Sequence, residues 1–159
     1  MNYNISNPKD KLKQLKENLS KYSLGSECNK INEIKELKPF FAFDYLSLNK
    51  SFFCFNSNLI SLNDYKRFFD RLKTLSDLTW QQMSVDKSFH FHDVDFSEIT
   101  SSESDFVKCL SKKNTQSEDI MPTVYQFKIF EEARIYGFFY KGVFYLVWFD
   151  RNHNNYKRK

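Results

Sequence analysis

Three aromatic runs separated by two short polar breaks fill the C-terminal third of the chain: "YQFKIF", then Glu131-Glu132-Ala133, "RIYGFFY", then Lys141-Gly142, and "VFYLVWF". Short runs rich in aromatic and β-branched residues, bounded by tight breaks, read as strands. A two-residue Lys-Gly break between aromatic runs signals a hairpin, because glycine supplies the positive φ that so tight a turn demands. The spacing predicts three consecutive antiparallel strands over residues 125–149, with turns near Glu132 and Lys141. "VFYLVWF" shows no polar alternation, so both its faces need cover, which predicts a central strand with helices over it. Arg134 opens the middle strand and Tyr136 shares its face, while Gly137 within that strand marks a bulge or a close backbone approach.

Upstream, helical and strand-like patterns alternate. Leu12, Leu15, Leu19 and Tyr22 form one narrow stripe at helical spacing, and Ile31, Ile34 and Leu37 form another that Pro39 ends. Residues 1–38 therefore read as an N-terminal helical arm that docks on the rest of the chain or on a partner, the first being the commoner use of amphipathic helices beside a sheet. "FFAFDYLSL" and "SFFCFNS", parted by Asn49-Lys50, read as a β-hairpin over residues 40–57. Ser61 with Asp64 makes a capping box for a helix whose apolar side is Tyr65, Phe68, Phe69, Leu72 and Leu75. Ser76 and Thr79 break and restart that helix, with Trp80 and Met83 in its last turn. "SFHFHDVDF" alternates as a further strand, and residues 97–123, anchored only by a short helix at Phe106, Val107 and Leu110, read as a mobile loop. The expectation is an α+β fold: an antiparallel-dominated sheet ending in a three-stranded meander, packed by helices, with residues 39–159 as a single domain.

The 159 residues are enough for one domain with a real core. Three Gly and three Pro leave few places for phosphate-cradling loops, and no Walker-type loop, dinucleotide fingerprint, nucleophile elbow or zinc-finger spacing is present. Part of the aromatic wealth (18 Phe, 9 Tyr) reflects the Phe, Lys, Asn and Ser bias of AT-rich coding, so it is no proof of a base-stacking surface. No run is apolar enough to span a bilayer and residues 1–25 lack a signal-peptide core, which predicts a cytoplasmic protein with no membrane partner. Cys28, Cys54 and Cys109 fit free thiols in a reducing compartment. The net charge of +4 sits at the end: without Arg151, Lys157, Arg158 and Lys159, the 24 basic residues fall to 20, equal to the 20 acids. That tail reads either as a phosphate contact or as a solvated, frayed terminus.

Polar groups delivered by a rigid strand into a loop are well placed for chemistry, and Asp150, Arg151, His153 and Tyr156 follow the strongest strand. His exchanges protons near neutrality; Tyr and Arg position or neutralise a phosphate. The plain alternative is a strand ending in solvent, with Asp150 making a turn. "HFHDVD" places His90 and His92 at strand spacing, which opens a metal site only if a third ligand such as His153 or Asp150 joins them; a polar edge strand is the plainer reading. Arg134 faces either a phosphate or the acids Glu131 and Glu132 of its own hairpin.

Over about residues 90–156 the order of a "HFHDVDF" strand, "YQFKI", "RIYGFFYKGVFYLVWF" and a polar "DRNHNNY" resembles the closing strands of the RelE/ParE-like superfamily of bacterial toxins. In that family a strand with an early Arg leads through a hairpin and a hydrophobic strand to a terminal His and Tyr. The chain departs from it in its length, its aromatic segment at residues 40–57 and its insertion at 97–123. The resemblance implies a ribonuclease directed at mRNA, on or off the ribosome, held inactive by an antitoxin-like protein partner. It implies Arg134, His153 and Tyr156 as catalytic positions; Arg151, Lys157, Arg158 and Lys159, by their charge, are then the expected RNA contacts. Neither metal nor other cofactor is expected, because the RNA 2′-OH is itself the nucleophile and needs only proton transfer and charge stabilisation. Two other classes stay open: a non-catalytic phage- or plasmid-associated interaction factor, and a metal-dependent phosphoesterase using His90 and His92.

Overall fold

The computed structural model describes residues 31–48, 55, 59–110 and 121–157. Its centre is a five-stranded sheet in the order β1-β5-β4-β3-β2. The strands are β1 (Phe41–Ala42), β2 (His92–Asp93), β3 (Val124–Phe130), β4 (Ala133–Tyr140) and β5 (Val143–Asp150). β3, β4 and β5 form the expected meander, and β2 adds antiparallel to β3. The fold is α+β with a mostly antiparallel sheet.

Local chemistry explains the two tight turns. Lys141 and Gly142 have φ of 48° and 78°, the pair of positive values that lets a two-residue turn follow the twist of its strands. Glu131 takes φ 41° in the turn before β4. The register of β4 against β5 shifts between Tyr136 and Gly137. A Cβ on Gly137 would stand 2.2 Å from the Tyr145 carbonyl oxygen and 2.7 Å from the Phe144 ring, so the backbones approach too closely for any side chain there.

Helices cover both faces. On one face lie α2 (Leu62–Leu75) and α3 (Trp80–Val85), which begin at capping boxes made by Ser61 with Asp64 and Thr79 with Gln82. Phe68, Leu72, Leu75, Trp80 and Met83 bury against Phe127, Ile135, Phe139, Phe144 and Phe149. The single turn α1 (Ile31–Ile34) joins that core through Ile34, and the carbonyls of Lys35 and Leu37 accept from Gln81 and Trp80 N–H. The last turn of the N-terminal arm thus docks on its own chain; the stripe at Leu12–Tyr22 lies outside the described residues. On the other face α4 (Glu103–Leu110) buries Phe106 and Leu110 with Val124, Tyr136, Phe138 and Trp148. β5 lies inside the sheet, between β1 and β4 with both faces covered, as its continuous apolarity predicts, while the middle place of the five strands falls to β4.

Two expectations need correction. The first strand of the predicted 40–57 hairpin shrinks to Phe41–Ala42 and pairs parallel with β5; the second strand of that hairpin falls mostly on residues outside those described. The predicted strand through "SFHFHDVDF" shrinks to His92–Asp93, because the Asp86 side chain caps Ser88 N–H and winds Lys87–Phe89 into a 3-10 turn. Within residues 97–123 the expected short helix at Phe106, Val107 and Leu110 forms as α4, and Ile99 bridges to Tyr156. No helix among the described residues is long and apolar enough to cross a membrane.

Candidate functional site

The α4 face of the sheet changes from apolar to polar at one end. Two cross-strand rows set this up: Gln126 beside Tyr136 beside Trp148, and Lys128 beside Arg134 beside Asp150. Residues directly opposite share a face, so Arg134, Tyr136 and Asp150 stand on the side that α4 covers.

Asp150 organises the turn that leaves β5. It is fully buried, and its two carboxylate oxygens accept from the backbone N–H of Asn154 (3.0 Å) and Asn155 (2.8 Å). Burial pushes its pKa up, while those N–H groups and the nearby His153 pull the other way. The turn it closes passes through His153 in the left-handed region, φ 54°. The chain then runs antiparallel beside 98–100, with Thr100 N–H donating to the Asn155 carbonyl and Lys157 N–H to that of Glu98. Asn155 is fully buried, and its Oδ1 accepts from Thr100 Oγ1 (2.9 Å), Ser101 N–H (3.0 Å) and Ser101 Oγ (2.8 Å). The "DRNHNNY" stretch is therefore a built element through Lys157; Arg158 and Lys159 lie outside the described residues.

This turn brings together three of the predicted positions. The His153 and Tyr156 rings are 5.4 Å apart, and Arg134 is close enough to depress the His153 pKa, second only to burial. His153 is thereby held neutral around neutrality. Its Nε2 is buried without a partner, whereas Nδ1 sits 3.8 Å from Glu132 Oε2. The Tyr156 hydroxyl donates to Glu98 Oε2 at 2.5 Å, a bond that raises its pKa and keeps its proton in place. Arg134 is 5% exposed, and its Nη1 donates weakly to the backbone carbonyls of Glu131 (3.4 Å) and Ala133 (3.3 Å). Burial lowers its pKa, opposed by Glu132, Tyr136 and Asp150. The expected pairing within its hairpin is thus with carbonyl groups, and no ion pair to Glu131 or Glu132 forms.

Arg151 is separated from this group. Its guanidinium donates to Asp64 Oδ1 (2.8 Å) and Glu131 Oε2 (3.0 Å) and lies over the Phe130 ring, on the α2 side of the sheet. Asp64 is buried, which would raise its pKa, but Ser61 and Arg151 outweigh burial and hold it low. The Lys157 ammonium donates to the Ser97 carbonyl at 2.7 Å. His90 caps the 3-10 turn at φ 46°, and both nitrogens of His92 are engaged, with the Asp93 carbonyl and the Gln126 amide. Among the described residues no group of three or more His, Cys, Asp or Glu is disposed to hold a metal.

Near Arg134, Gln126 Oε1 and His153 Nε2 are buried without partners, whereas the Asn155 side chain lies close enough to the Tyr136 hydroxyl to oppose the effect of burial on it. Burial drives the Tyr136 hydroxyl far above its ordinary pKa, so it stays protonated. Tyr136 was legible as a facemate of Arg134. Glu98 and Asn155 carried no signal, because their roles rest on contacts across 50 or more residues. No protein-family model, curated protein or solved structure matches this chain.

Proposed function

We propose that the chain acts on RNA as a RelE-like, metal-independent endoribonuclease. The observation that supports this most is the meeting of Arg134, a neutral His153 and a protonated Tyr156 at one end of the α4 face. Transesterification of RNA needs a base for the 2′-OH, a proton for the departing 5′-oxygen and positive charge at the phosphorane. In this reading His153 accepts the 2′-OH proton through Nδ1, the nitrogen on its Glu132 side, and Tyr156 breaks its hydrogen bond to Glu98 Oε2 to donate its proton to the leaving oxygen. Arg134 supplies the charge. Arg151, already neutralised by two acids, has no part in binding.

Purified protein incubated with a mixed-sequence RNA should cleave it, leaving 2′,3′-cyclic phosphate ends. His153→Ala and Tyr156→Phe should each lower the rate at least roughly tenfold, the modest end of what one acid–base group contributes. Arg134→Lys should retain binding but lose rate, since one ammonium cannot reproduce the guanidinium fork. Wild-type rates in all three folded variants would sink the proposal. A second reading, a non-catalytic interaction factor, is favoured by Phe40 and Phe43, 67% and 43% exposed beside β1. Unimpaired growth and intact transcripts on high expression in a bacterial host would favour that reading.

A further inference from the structure

A titratable ring at the edge of the sheet reaches a buried polar row. His92 is exposed on β2 and pairs in register with Gln126 of β3, which is 2% exposed. Its Nδ1 stands 2.7 Å from the Asp93 carbonyl oxygen. A carbonyl only accepts, so Nδ1 carries a proton there, and Nε2 is the nitrogen whose proton comes and goes. Nε2 lies 2.7 Å from the Gln126 amide nitrogen, while Gln126 Oε1 is buried without a partner. Neutral His92 thus accepts from the amide through its lone pair. An imidazolium has no lone pair at Nε2 and would set one N–H against another.

The amide can answer either state, because half a turn about its last side-chain bond exchanges its oxygen and nitrogen. That turn brings Oε1 to the charged ring in a charge-assisted hydrogen bond, stronger than the neutral one. It also carries the N–H2 group inward, where Tyr136 is next in the row. Val124, two residues before Gln126, accepts from Val94 N–H beyond β2, so Gln126 also directs its backbone groups toward β2. Its pairing with Tyr136 is therefore of the closely spaced kind, in which side chains meet. Tyr136 is fully buried, where Arg134, Asp150 and Asn155 all act on its hydroxyl. The charged groups sharing this face are Lys128, Arg134 and Asp150 of the adjoining row, with His90 and His153 beside them. α4 brings Asp105 and Lys108, paired with each other at 3.2 Å, and the Asp93 side chain is on the other face. Among the described residues, none of these side chains bonds to the His92 ring.

We propose that His92 and Gln126 form a pH-sensitive switch. When Nε2 takes a proton from solvent, the Gln126 amide turns over, presenting its oxygen to the imidazolium and its N–H2 group to the Tyr136 hydroxyl. The exposed ring is the sensor, the buried amide the moving part, and Tyr136 the receiver beside Arg134 and Asn155. The switch stands whether or not RNA is the substrate, since its states differ in hydrogen bonding within the chain.

Nitrogen-15 NMR of the full chain tests this, with pH lowered from about 8 to 5, the range in which histidine changes charge. The His92 ring nitrogens, the Gln126 side-chain amide and the Tyr136 ring are followed together. Nδ1 should keep its proton throughout, and the Gln126 and Tyr136 signals should shift in step with Nε2. Gln126→Leu removes the moving part: His92 should still titrate, while the Tyr136 signals lose the shift that follows it. His92→Gln, a change at an exposed position, should abolish the pH response of the Gln126 amide and serves if the Gln126 variant fails to fold. A Gln126 amide that stays still while His92 titrates would overturn the switch. So would Tyr136 signals that follow pH as fully in both variants as in the wild type, since His153 or another group would then be moving them.

Discussion

Asn155 ties the end of the chain to the segment before α4 through one oxygen that accepts three hydrogen bonds. Asn155→Ala should therefore cost about 2–3 kcal/mol in chemical denaturation, because buried donors of Ser101 lose their acceptor. A loss below roughly 0.5 kcal/mol, the range of a surface change, would show the contact to be incidental. His153 gives a pH signature. Burial and Arg134 hold its folded pKa below the free value of 6.5, so below 6.5 the unfolded chain takes up the proton first. Its contribution is present above 6.5 and is lost as pH falls through the folded midpoint, and stability rises with pH across that window. His153→Gln should flatten this slope, and an imidazole titrating at or above 6.5 by NMR would contradict it. Asp150 works in the opposite sense: its raised pKa gives a contribution present below 3.8 and lost as pH rises through its folded midpoint. At this scale the grouping of Arg134, His153 and Tyr156 was legible, since a hairpin register is local and puts the end of β5 beside the start of β4. The departure of Arg151 was not, because a single residue of turn geometry after Asp150 decides which side of the sheet it meets.

Among the elements, those closed by local chemistry were the readable ones. The meander, the Lys141-Gly142 turn, and the Ser61 and Thr79 capping boxes each depend on residues a few positions apart. β1 was not readable because its partner is not its neighbour in sequence: Phe41 pairs with Phe144, a parallel contact that no hairpin pattern encodes. The strand expected through His90 and His92 gives way for a local reason, the Asp86 cap on Ser88, which outcompetes the alternation of apolar residues. Gly137 is the most demanding single position within an element. An alanine there would meet the Tyr145 carbonyl at 2.2 Å, backbone that cannot move without breaking the β4–β5 ladder. Gly137→Ala should destabilise by about 3 kcal/mol or more, the upper range for overpacking. Melting within roughly 2 °C of wild type would mean that the bulge adapts.

At the scale of the whole molecule, the described residues form one sheet between two unequal covers. The α2 and α3 cover is laid down by continuous amphipathic helices and an interlocking set of rings, such as Trp80 with Phe139 at 4.7 Å and Phe55 with Phe149 at 4.4 Å. The α4 cover has eight helical residues and relies on the segment Asn155–Lys157 to hold 98–101 in place. Such asymmetry predicts that the two faces open separately, because the side with fewer buried apolar contacts has the lower local stability. Ending the chain at Arg151 removes the acceptor oxygen of Asn155, the Tyr156 bond to Glu98 and both backbone bonds to 98–100. It also exposes the Asp150 carboxylate, whose N–H partners are Asn154 and Asn155. In hydrogen exchange, amides of 98–110 should then lose protection first, while those of α2 and α3 stay close to the full-length chain. The candidate site would be lost along with that face, since His153 and Tyr156 go with the tail and Arg134 is left uncovered. Uniform loss of protection across both faces would instead mean a single cooperative unit, with the tail a keystone for all of it.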